Sequence, residues 1–334
     1  MKLSFLFGIM VLFFFAGCEY NNITPVAAPA NDNSVSFEIN YTDYSNCCYF
    51  IDAVYADTSA QLNLFNKYYG NIVPVIVPRY RISSFELYIS DSYFYPVTNI
   101  KGWAYLNLPV RKSAALYDDS LRYNQTPVIG EKYSGNFRRL EYGQDYIFQS
   151  ETGYINLINE PADGALLAVA YKTDEGSYGE FESEIINGQK DQIVLKMIKP
   201  PYLNPDMKDA WKLQLKNIYR IDLGTIIKSI DLNIYYKINN LLFSSWYSDS
   251  FLRLFGFDQI NSSEAPVPDG KFDQRPYFTY LPSTSDIIFP VLQPFGNNCP
   301  KQVLDLSYHA IYDSSKSSLT QKDGFVIKGS IVPD

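Results

Sequence analysis

The sequence has almost none of the residues and motifs that most catalytic sites require. It contains one histidine, His309, among 334 residues, which excludes the paired histidines of zinc proteases and of C₂H₂ zinc fingers. The GxSxG, P-loop and GxGxxG motifs are also absent. A carboxylate pair for glycoside hydrolysis stays open, because a sequence does not give the separation between acidic side chains. We predict that the protein is not an enzyme and that it uses no metal and no cofactor.

Positive charge is also in short supply. Lysine and arginine number 28 against 36 acidic residues, and the formal net charge is −8. Proteins that bind nucleic acid usually carry a basic patch, whereas an acidic balance favours solubility. We therefore predict no nucleic-acid partner.

Cysteine is scarce, and the first of the four cysteines follows a distinctive segment. A basic second residue precedes an apolar run over residues 3–17, which is shorter than the ~20 residues that a membrane-spanning helix needs. The run ends with Ala16 and Gly17 before Cys18. Small residues directly before a cysteine fit a lipoprotein processing site. A plain signal peptide with an incidental cysteine and an uncleaved anchor helix are the alternatives.

We interpret residues 1–17 as a lipoprotein signal peptide and Cys18 as the lipidated first residue of the exported protein. Acyl chains on this thiol would hold the protein on a membrane. Residues 18–34 lack hydrophobic periodicity and are predicted to form a flexible tether. The expected location is the outer membrane, on its periplasmic or cell-surface face.

The other three cysteines are Cys47, Cys48 and Cys299. Export permits a disulfide, but adjacent cysteines rarely bridge each other because their Cα spacing of ~3.8 Å is tighter than disulfide geometry prefers. We predict a bond from Cys299 to Cys47 or Cys48. Three reduced, buried thiols are the alternative, and a metal site is weaker because only His309 could join the cysteine pair.

Aromatic residues are abundant, with 29 tyrosines and 22 phenylalanines. Many alternate with polar residues, which is typical of half-buried strands. This alternation predicts strands at residues 35–41 and 230–236, and four closely spaced strands within residues 140–173. We predict a mainly β fold of antiparallel β-sandwich-like modules with a few short helices. The modules are expected over residues 35–198 and 199–334.

Three other segments have less regular patterns. Residues 72–77 are apolar and predict a buried strand, which an internal proline pushes towards a sheet edge. Asp206 is predicted to cap a short helix that runs to about Asn217. Residues 303–312 alternate as a strand would, with His309 on the polar face.

Oxygen-bearing side chains are grouped within residues 258–273, which raises the question of calcium. Two prolines interrupt the alternate donor spacing that an EF-hand loop needs. We favour a solvated turn in which Asp269 and Gly270 reverse the chain, and we predict no metal there.

Seven short motifs follow one another within residues 85–334. They are Tyr142-Gly143-Gln144-Asp145-Tyr146, Leu167-Ala168-Val169-Ala170-Tyr171, Leu195-Lys196-Met197-Ile198-Lys199-Pro200, Trp211 with Lys216-Asn217-Ile218-Tyr219, Asp269-Gly270-Lys271-Phe272-Asp273, Ile287-Ile288-Phe289-Pro290-Val291-Leu292-Gln293-Pro294-Phe295-Gly296, and Tyr312-Asp313-Ser314-Ser315-Lys316. In this order they resemble the soluble, non-barrel region of the SprA/Sov outer-membrane translocon family, which serves type IX protein secretion and gliding motility. Gln293 stands where the family pattern has an acidic residue.

The resemblance implies an accessory or structural binding component of type IX secretion or gliding motility. The expected partners are the membrane, through the lipid anchor, and a separate outer-membrane barrel or a secreted client protein. The resemblance implies structural or interaction roles for Trp211, Asn217, Asp269, Gly270, Asp273, Phe289, Pro290, Pro294, Phe295 and Gly296. A glycan-binding surface lipoprotein is the alternative, because exposed aromatic rings can stack on sugars.

Overall fold

The computed structural model describes residues 34–59, 61–90, 99–221, 224, 227–320 and 323–334. The predicted signal peptide, Cys18 and all but the last residue of the predicted tether lie outside the described residues. Within these ranges, no helix combines the length and the apolar character that crossing a membrane requires.

The prediction of a mainly β fold with antiparallel sheets and a few short helices is confirmed. The strands are β1 (Val35–Asn40), β2 (Cys48–Phe50), β3 (Ser84–Ser90), β4 (Ile100–Tyr105), β5 (Lys132–Arg139), β6 (Tyr146–Gln149), β7 (Tyr154–Leu157), β8 (Leu166–Thr173), β9 (Gly176–Tyr178), β10 (Ile193–Lys199), β11 (Ile218–Arg220), β12 (Ile227–Ile238), β13 (Leu241–Phe243), β14 (Ser245–Trp246), β15 (Asp249–Ser250), β16 (Tyr280–Leu281), β17 (Asp286–Ile288) and β18 (Gly324–Pro333).

The helices of the described residues are short and connect these strands. The α-helices are α1 (Leu64–Tyr69), α2 (Glu182–Asn187), α3 (Lys208–Trp211), α4 (Phe251–Leu254) and α5 (Ala310–Asp313). Single 3₁₀ segments cover Pro78–Tyr80, Asp119–Leu121, Lys301–Leu306 and Lys316–Ser318.

Five strands of the first part of the chain close into a ring. Their order is β10-β4-β5-β3-β8, and β8 pairs with β10 to complete the circuit. Strand β9 pairs with residues 171–173 of β8, on the edge opposite β3. The β10–β4 pair is parallel and the others are antiparallel. All seven residues of β10 and seven of the eight in β8 are buried, as expected for strands covered on both faces. The first hydrophobic core packs around this ring.

A second core lies against the four-stranded sheet β1-β18-β12-β13. Burial alternates along β12, where Ile230, Leu232, Ile234 and Tyr236 are buried as the sequence predicts. Strand β1 pairs with β18 over six residues. Strand β1, which lies within residues 35–198, therefore belongs to the sheet of the second core.

There are also two three-stranded sheets. The sheet β2-β7-β6 packs in the first core, and β11-β17-β16 supplies buried residues to both cores. The chain between α3 and β11 bonds directly to β2, since the Phe50 amide donates to the Leu213 carbonyl at 2.7 Å and the Leu215 amide donates to the Cys48 carbonyl at 3.0 Å. Backbone hydrogen bonds thus join the two parts of the chain.

Four segments differ from the sequence predictions. Residues 140–173 contain three strands, β6, β7 and β8, and not four. Residues 72–77 form no strand, and residues 303–312 contain a 3₁₀ segment and α5 instead of a strand. The helix expected after Asp206 covers only Lys208–Trp211. The last three segments contact the rest of the molecule through side chains and turns, so tertiary context overrides the local apolar pattern.

The predicted disulfide is not formed, because Cys47, Cys48 and Cys299 are all free and buried. Cys47 and Cys48 belong to the first core and Cys299 belongs to the second. The Cys299 thiol contacts the Val303 carbonyl at 3.5 Å. Cys299 and the cysteine pair therefore pack in different cores, and the alternative of three reduced thiols describes the structure.

Candidate functional site: a cleft where the two cores meet

A cleft of about 340 Å³ opens between the two cores. Tyr44 comes from the second core and Tyr49 from the first. The lining residues are aromatic, charged or amide-bearing, with few aliphatic side chains. They are Tyr44, Asn46, Tyr49, Glu160, Pro161, Asp163, Lys199, Tyr202, Leu203, Trp211, Gln214, Ser315, Lys316 and Ser317.

Lys199 forms one wall at the end of β10, where Pro200 and Pro201 stop the strand. Its ammonium group donates to the carbonyls of Asp163 at 3.0 Å and Ala165 at 2.7 Å. Burial lowers the pKa of Lys199 to about 8, against an opposing attraction from Asp163. Lys199 therefore holds the turn before β8 in place.

Trp211, the last residue of α3, fastens a second wall. Its indole nitrogen donates to the Tyr312 carbonyl at 2.6 Å. The Tyr312 hydroxyl accepts the Phe295 amide at 3.1 Å, and the Tyr312 ring lies directly over Gly296. Tyr312 thus joins three motifs, those of Trp211, of Phe295 and Gly296, and its own. Trp211 and Tyr312 are about 100 residues apart in the sequence, since 312 − 211 = 101.

Asn217 and Phe289 connect the same region to a cluster of aromatic rings. The Asn217 side-chain amide donates to the Phe289 carbonyl at 2.9 Å, and the Phe289 amide donates to the Asn217 carbonyl at 2.9 Å. The Phe289 ring contacts Tyr219, Phe257 and Phe295 with centroid distances of 5.4, 4.7 and 5.2 Å. These residues support the cleft from within the second core.

Two lysines flank the Tyr44 ring. The Lys316 ammonium lies 4.3 Å from its centroid and donates to the Tyr44 carbonyl. The Lys216 ammonium lies 5.8 Å from the same centroid and 4.2 Å from that of Trp211, within cation–π range. Burial lowers the pKa of Lys216 to about 7 although Asp313 opposes the shift, and burial also lowers the pKa of Lys316.

Polar groups and one exposed ring surround the mouth of the cleft. Asn46 donates to the Glu160 carboxylate at 2.6 Å and accepts from Gln214 at 3.3 Å. Tyr202 keeps 71% of its surface exposed, and its backbone amide donates to the Asp163 carbonyl at 2.7 Å. Rings, ammonium groups and carboxylates together suit the binding of a polar ligand with flat or apolar faces.

The other predicted site residues lie elsewhere or play supporting roles. Pro294 is buried and Pro290 is partly buried beside Phe289, and the Pro290 carbonyl accepts the Asn66 side chain at 3.4 Å. His309 does not line the cleft and contacts the Ser307 hydroxyl at 3.3 Å.

Asp269, Gly270 and Asp273 form a separate turn. The Asp258 carboxylate accepts the amides of Asp269 at 2.8 Å and Gly270 at 3.1 Å. The Asp273 carboxylate accepts the Gln259 amide at 2.6 Å, and burial raises its pKa. These carboxylates cap backbone amides, and the described residues contain no cluster of three metal-ligating side chains.

No protein-family model matches the chain, and a comparison with curated proteins finds no relative. The cleft itself is therefore the main guide to function.

Sequence reasoning named Trp211 but missed most of the cleft lining. Tyr44, Asn46, Glu160 and Tyr202 lie in turns without periodicity or motif, so their sequence carried no signal. Lys199, Lys216 and Lys316 stand inside the matched motifs and were not singled out. Lys199 and Lys216 each have apolar neighbours in the sequence. This feature could have identified these two lysines, because such neighbours can surround the side chain of a lysine and partly bury its ammonium group.

Proposed function

We propose that this chain is an outer-membrane lipoprotein that serves as an accessory or structural component of type IX protein secretion or gliding motility, and that it acts by binding protein. The observation that carries this proposal is that four of the seven matched motifs meet at one cleft or at its support. Lys199, Trp211 and Lys316, each from a different motif, line the cleft. Phe295 and Gly296, from a fourth motif, contact Tyr312, which in turn accepts the hydrogen bond from Trp211.

The position of these motifs around one cleft favours a shared binding role over a chance resemblance of short sequence motifs. Four of the seven motifs supply a lining side chain or hold Tyr312 in place, as in the Trp211–Tyr312 hydrogen bond of 2.6 Å. The lining contains tyrosine and tryptophan, the residue types that dominate protein-binding hot spots. A partner side chain that enters the cleft would meet rings on several sides.

The mechanism is tethering. Lipid on Cys18 holds the protein at the membrane, and the tether predicted from residues 18–34 links the lipid to the folded part. The folded part then presents the cleft to a separate outer-membrane barrel or to a secreted client. No step of this mechanism requires bond chemistry.

Pull-down from native membranes tests the role of the cleft, with Tyr202→Ala as the variant. Tyr247 supplies a matched control, since the two tyrosines are 71% and 75% exposed and have φ values of 53° and 52°. We expect Tyr202→Ala to reduce recovery of a barrel or client about tenfold, as a hot-spot truncation does, and Tyr247→Ala to leave it unchanged. Equal recovery with both variants contradicts the proposal.

Metabolic labelling with a palmitate analogue tests the anchor separately. Label should appear on the wild-type protein and disappear from Cys18→Ser. Label that persists on the variant would show that Cys18 is not the acylated residue.

A glycan-binding lipoprotein is the second candidate, and one observation favours it. Tyr202 offers an exposed ring beside the Asn46–Glu160 pair, and sugar sites combine such a ring with amide and carboxylate groups. Binding to a glycan array that Tyr202→Ala abolishes, without a protein partner in the pull-down, would select this candidate.

A further inference from the structure

A separate surface segment, residues 72–77, exposes a group of apolar side chains. Its sequence is Ile-Val-Pro-Val-Ile-Val, and it forms neither strand nor helix. Val73, Val75 and Ile76 are 76%, 50% and 48% exposed. β-Branched residues of this kind usually lie inside a sheet, so their exposure at the surface calls for a physical explanation.

The base of this segment is held in a defined shape. The Val75 amide donates to the Lys67 carbonyl at 3.0 Å, and the Arg275 guanidinium donates to the Ile72 carbonyl at 2.7 Å. Val77 packs against the first core. The apolar side chains are therefore presented by a fixed turn.

The charge around the segment differs from that of the whole chain. Residues 58–85 contain Lys67, Arg79 and Arg81 but no aspartate or glutamate, whereas the whole chain has a formal net charge of −8. Arg79 and Arg81 have side chains that are 67% and 64% exposed.

Two carboxylates from neighbouring turns face these arginines. Arg79 pairs with Glu175, and Arg81 pairs with Glu151 at 3.3 Å. The Arg275 guanidinium donates to the Ile72 carbonyl of the segment, and the Lys67 ammonium donates to the Gln61 carbonyl, which precedes the segment. The four cations at and beside the segment thus outnumber the three carboxylates that interact with them, Glu175, Glu151 and Asp273.

We infer that residues 72–77 insert into the headgroup region of an anionic lipid bilayer. Interfacial membrane segments combine apolar side chains, which enter the bilayer, with neighbouring arginine and tyrosine side chains, which stay at headgroup level. Residues 72–81 have both kinds of side chain. Tyr80, between Arg79 and Arg81, supplies the aromatic ring of that base.

A lipid surface suits this segment better than a protein partner. A stable protein interface buries about 800 Å² on each side and needs 20–30 residues, whereas the exposed apolar group here consists of three side chains on one turn. The backbone of the segment has few internal partners, so insertion stops at the headgroup boundary, where water still satisfies carbonyl and amide groups.

This contact would fix the orientation of the folded part on the membrane. A tether alone leaves the cleft free to point in any direction, whereas a second point of attachment restricts rotation. The inference does not rest on the proposed function, because it depends only on residues 61–81 and their contacts.

Site-specific fluorescence of the full chain in vesicles tests the inference. An environment-sensitive label is placed on Val73→Cys and, as the matched control, on Ile129→Cys, since Val73 and Ile129 are 76% and 80% exposed. The three native core cysteines are buried and stay unlabelled in the folded protein. Vesicles contain phosphatidylcholine with phosphatidylglycerol, and spin-labelled phosphatidylcholine serves as the quencher.

We expect the label at Val73 to be quenched at least about threefold more strongly than the label at Ile129, as for a side chain buried in the interface. Adding Val75→Asp and Ile76→Asp should remove this difference while leaving the thermal melting temperature unchanged. Equal quenching at the two positions overturns the inference, as does quenching that survives the aspartates. If Cys18 carries no lipid, the proposed function fails, but quenching at Val73, measured in a Cys18→Ser background that takes no second label, still appears at high vesicle concentration.

Discussion

Gly296 and Gly270 both belong to the matched motifs, but they are glycines for different physical reasons. A β-carbon at Gly296 would lie 2.5 Å from the Tyr312 ring, whereas Gly270 has open space and a φ of 82°. Gly296 makes room for a neighbour, and Gly270 adopts a left-handed turn.

Alanine at these two positions should therefore have unequal effects. We expect Gly296→Ala to lower the free energy of unfolding by about 2–3 kcal/mol, because overpacking displaces Tyr312. Gly270→Ala should cost about 1 kcal/mol from backbone strain, and Gly270→Asn less, since asparagine tolerates this conformation. Urea unfolding of the three variants measures the costs. A smaller cost for Gly296→Ala than for Gly270→Ala would show that the Tyr312 ring is not tightly packed.

Lys216 couples the cleft to pH. Burial lowers its pKa to about 7 in the folded protein, although Asp313 opposes the shift, while a lysine in the unfolded chain titrates near 10.4. Between these values the unfolded state binds more protons, so the free energy of unfolding rises with pH across this window and falls as the pH drops towards 7.

Lys216→Met should therefore be more stable than the wild type near pH 6, and the advantage should shrink towards pH 9. Lys212→Met is the control, because the Lys212 side chain is 70% exposed and should show no such trend. Urea unfolding at pH 6, 7, 8 and 9 gives the comparison. A difference that stays constant with pH would mean that the cation–π contact with Trp211 outweighs burial.

At the level of elements, a buried ion pair joins the two three-stranded sheets. Arg220 of β11 bonds to Asp286 of β17 at 2.9 Å and to Asn156 of β7 at 3.0 Å. It also donates to the carbonyls of Leu157 and Ile158. The Asp286 side chain is fully buried, so removal of the carboxylate leaves a guanidinium with no compensating charge.

We expect Asp286→Ala to destabilise the protein by about 3–5 kcal/mol, the usual cost of breaking a buried pair. Asp209→Ala breaks an exposed pair with Lys212, in which both side chains are about 70% exposed, and should cost under about 1 kcal/mol. Denaturant midpoints distinguish the two. Similar midpoints for the two variants would mean that water reaches Arg220.

The elements with regular burial were predictable from sequence. Strand β12 follows its alternation of apolar residues because one face of it packs on the second core. Residues 72–77 and 303–312 have comparable patterns, but neither pairs with another strand. The local sequence pattern shows which side chains are apolar. Whether a segment becomes a strand depends also on a second segment, distant in the sequence, that lies beside it and pairs with its backbone.

The candidate site was predictable only in part, for the same reason. The motifs contain Trp211, Asn217 and Gly296, but nothing local shows that Tyr312 joins them. Tyr44 and Tyr202 reach the cleft from turns that are about 160 residues apart, since 202 − 44 = 158. Such proximity is a property of the fold and not of any sequence window.

At the scale of the whole molecule, the two cores are interleaved along the chain. Strand β1 belongs to the second core and β2 to the first, and backbone bonds join Phe50 to Leu213 and Cys48 to Leu215. Two independent modules divided at residue 198 would unfold separately. Interleaved cores should instead unfold as one cooperative unit.

The buried cysteines provide a probe in each core. Burial raises the pKa of Cys299 to about 12 and also raises the pKa of Cys48, where nearby Asp286 acts in the same direction, so each thiol reacts with a labelling reagent only after the protein opens. The rates of labelling under native conditions therefore give an opening free energy for each core.

Phe37→Ala decides whether the cores open together. Phe37 lies in β1 and is buried in the second core, whereas Val35 of the same strand is 41% exposed. The cavity that Phe37→Ala leaves should lower the opening free energy measured at Cys299, in the second core, by about 3 kcal/mol. If the cores open together, the opening free energy measured at Cys48, in the first core, should fall by the same amount. Val35→Ala should change neither by more than about 0.5 kcal/mol. A loss confined to Cys299 would mean that the cores open independently, and that the bonds joining Cys48 and Phe50 to the chain after α3 break before either core does.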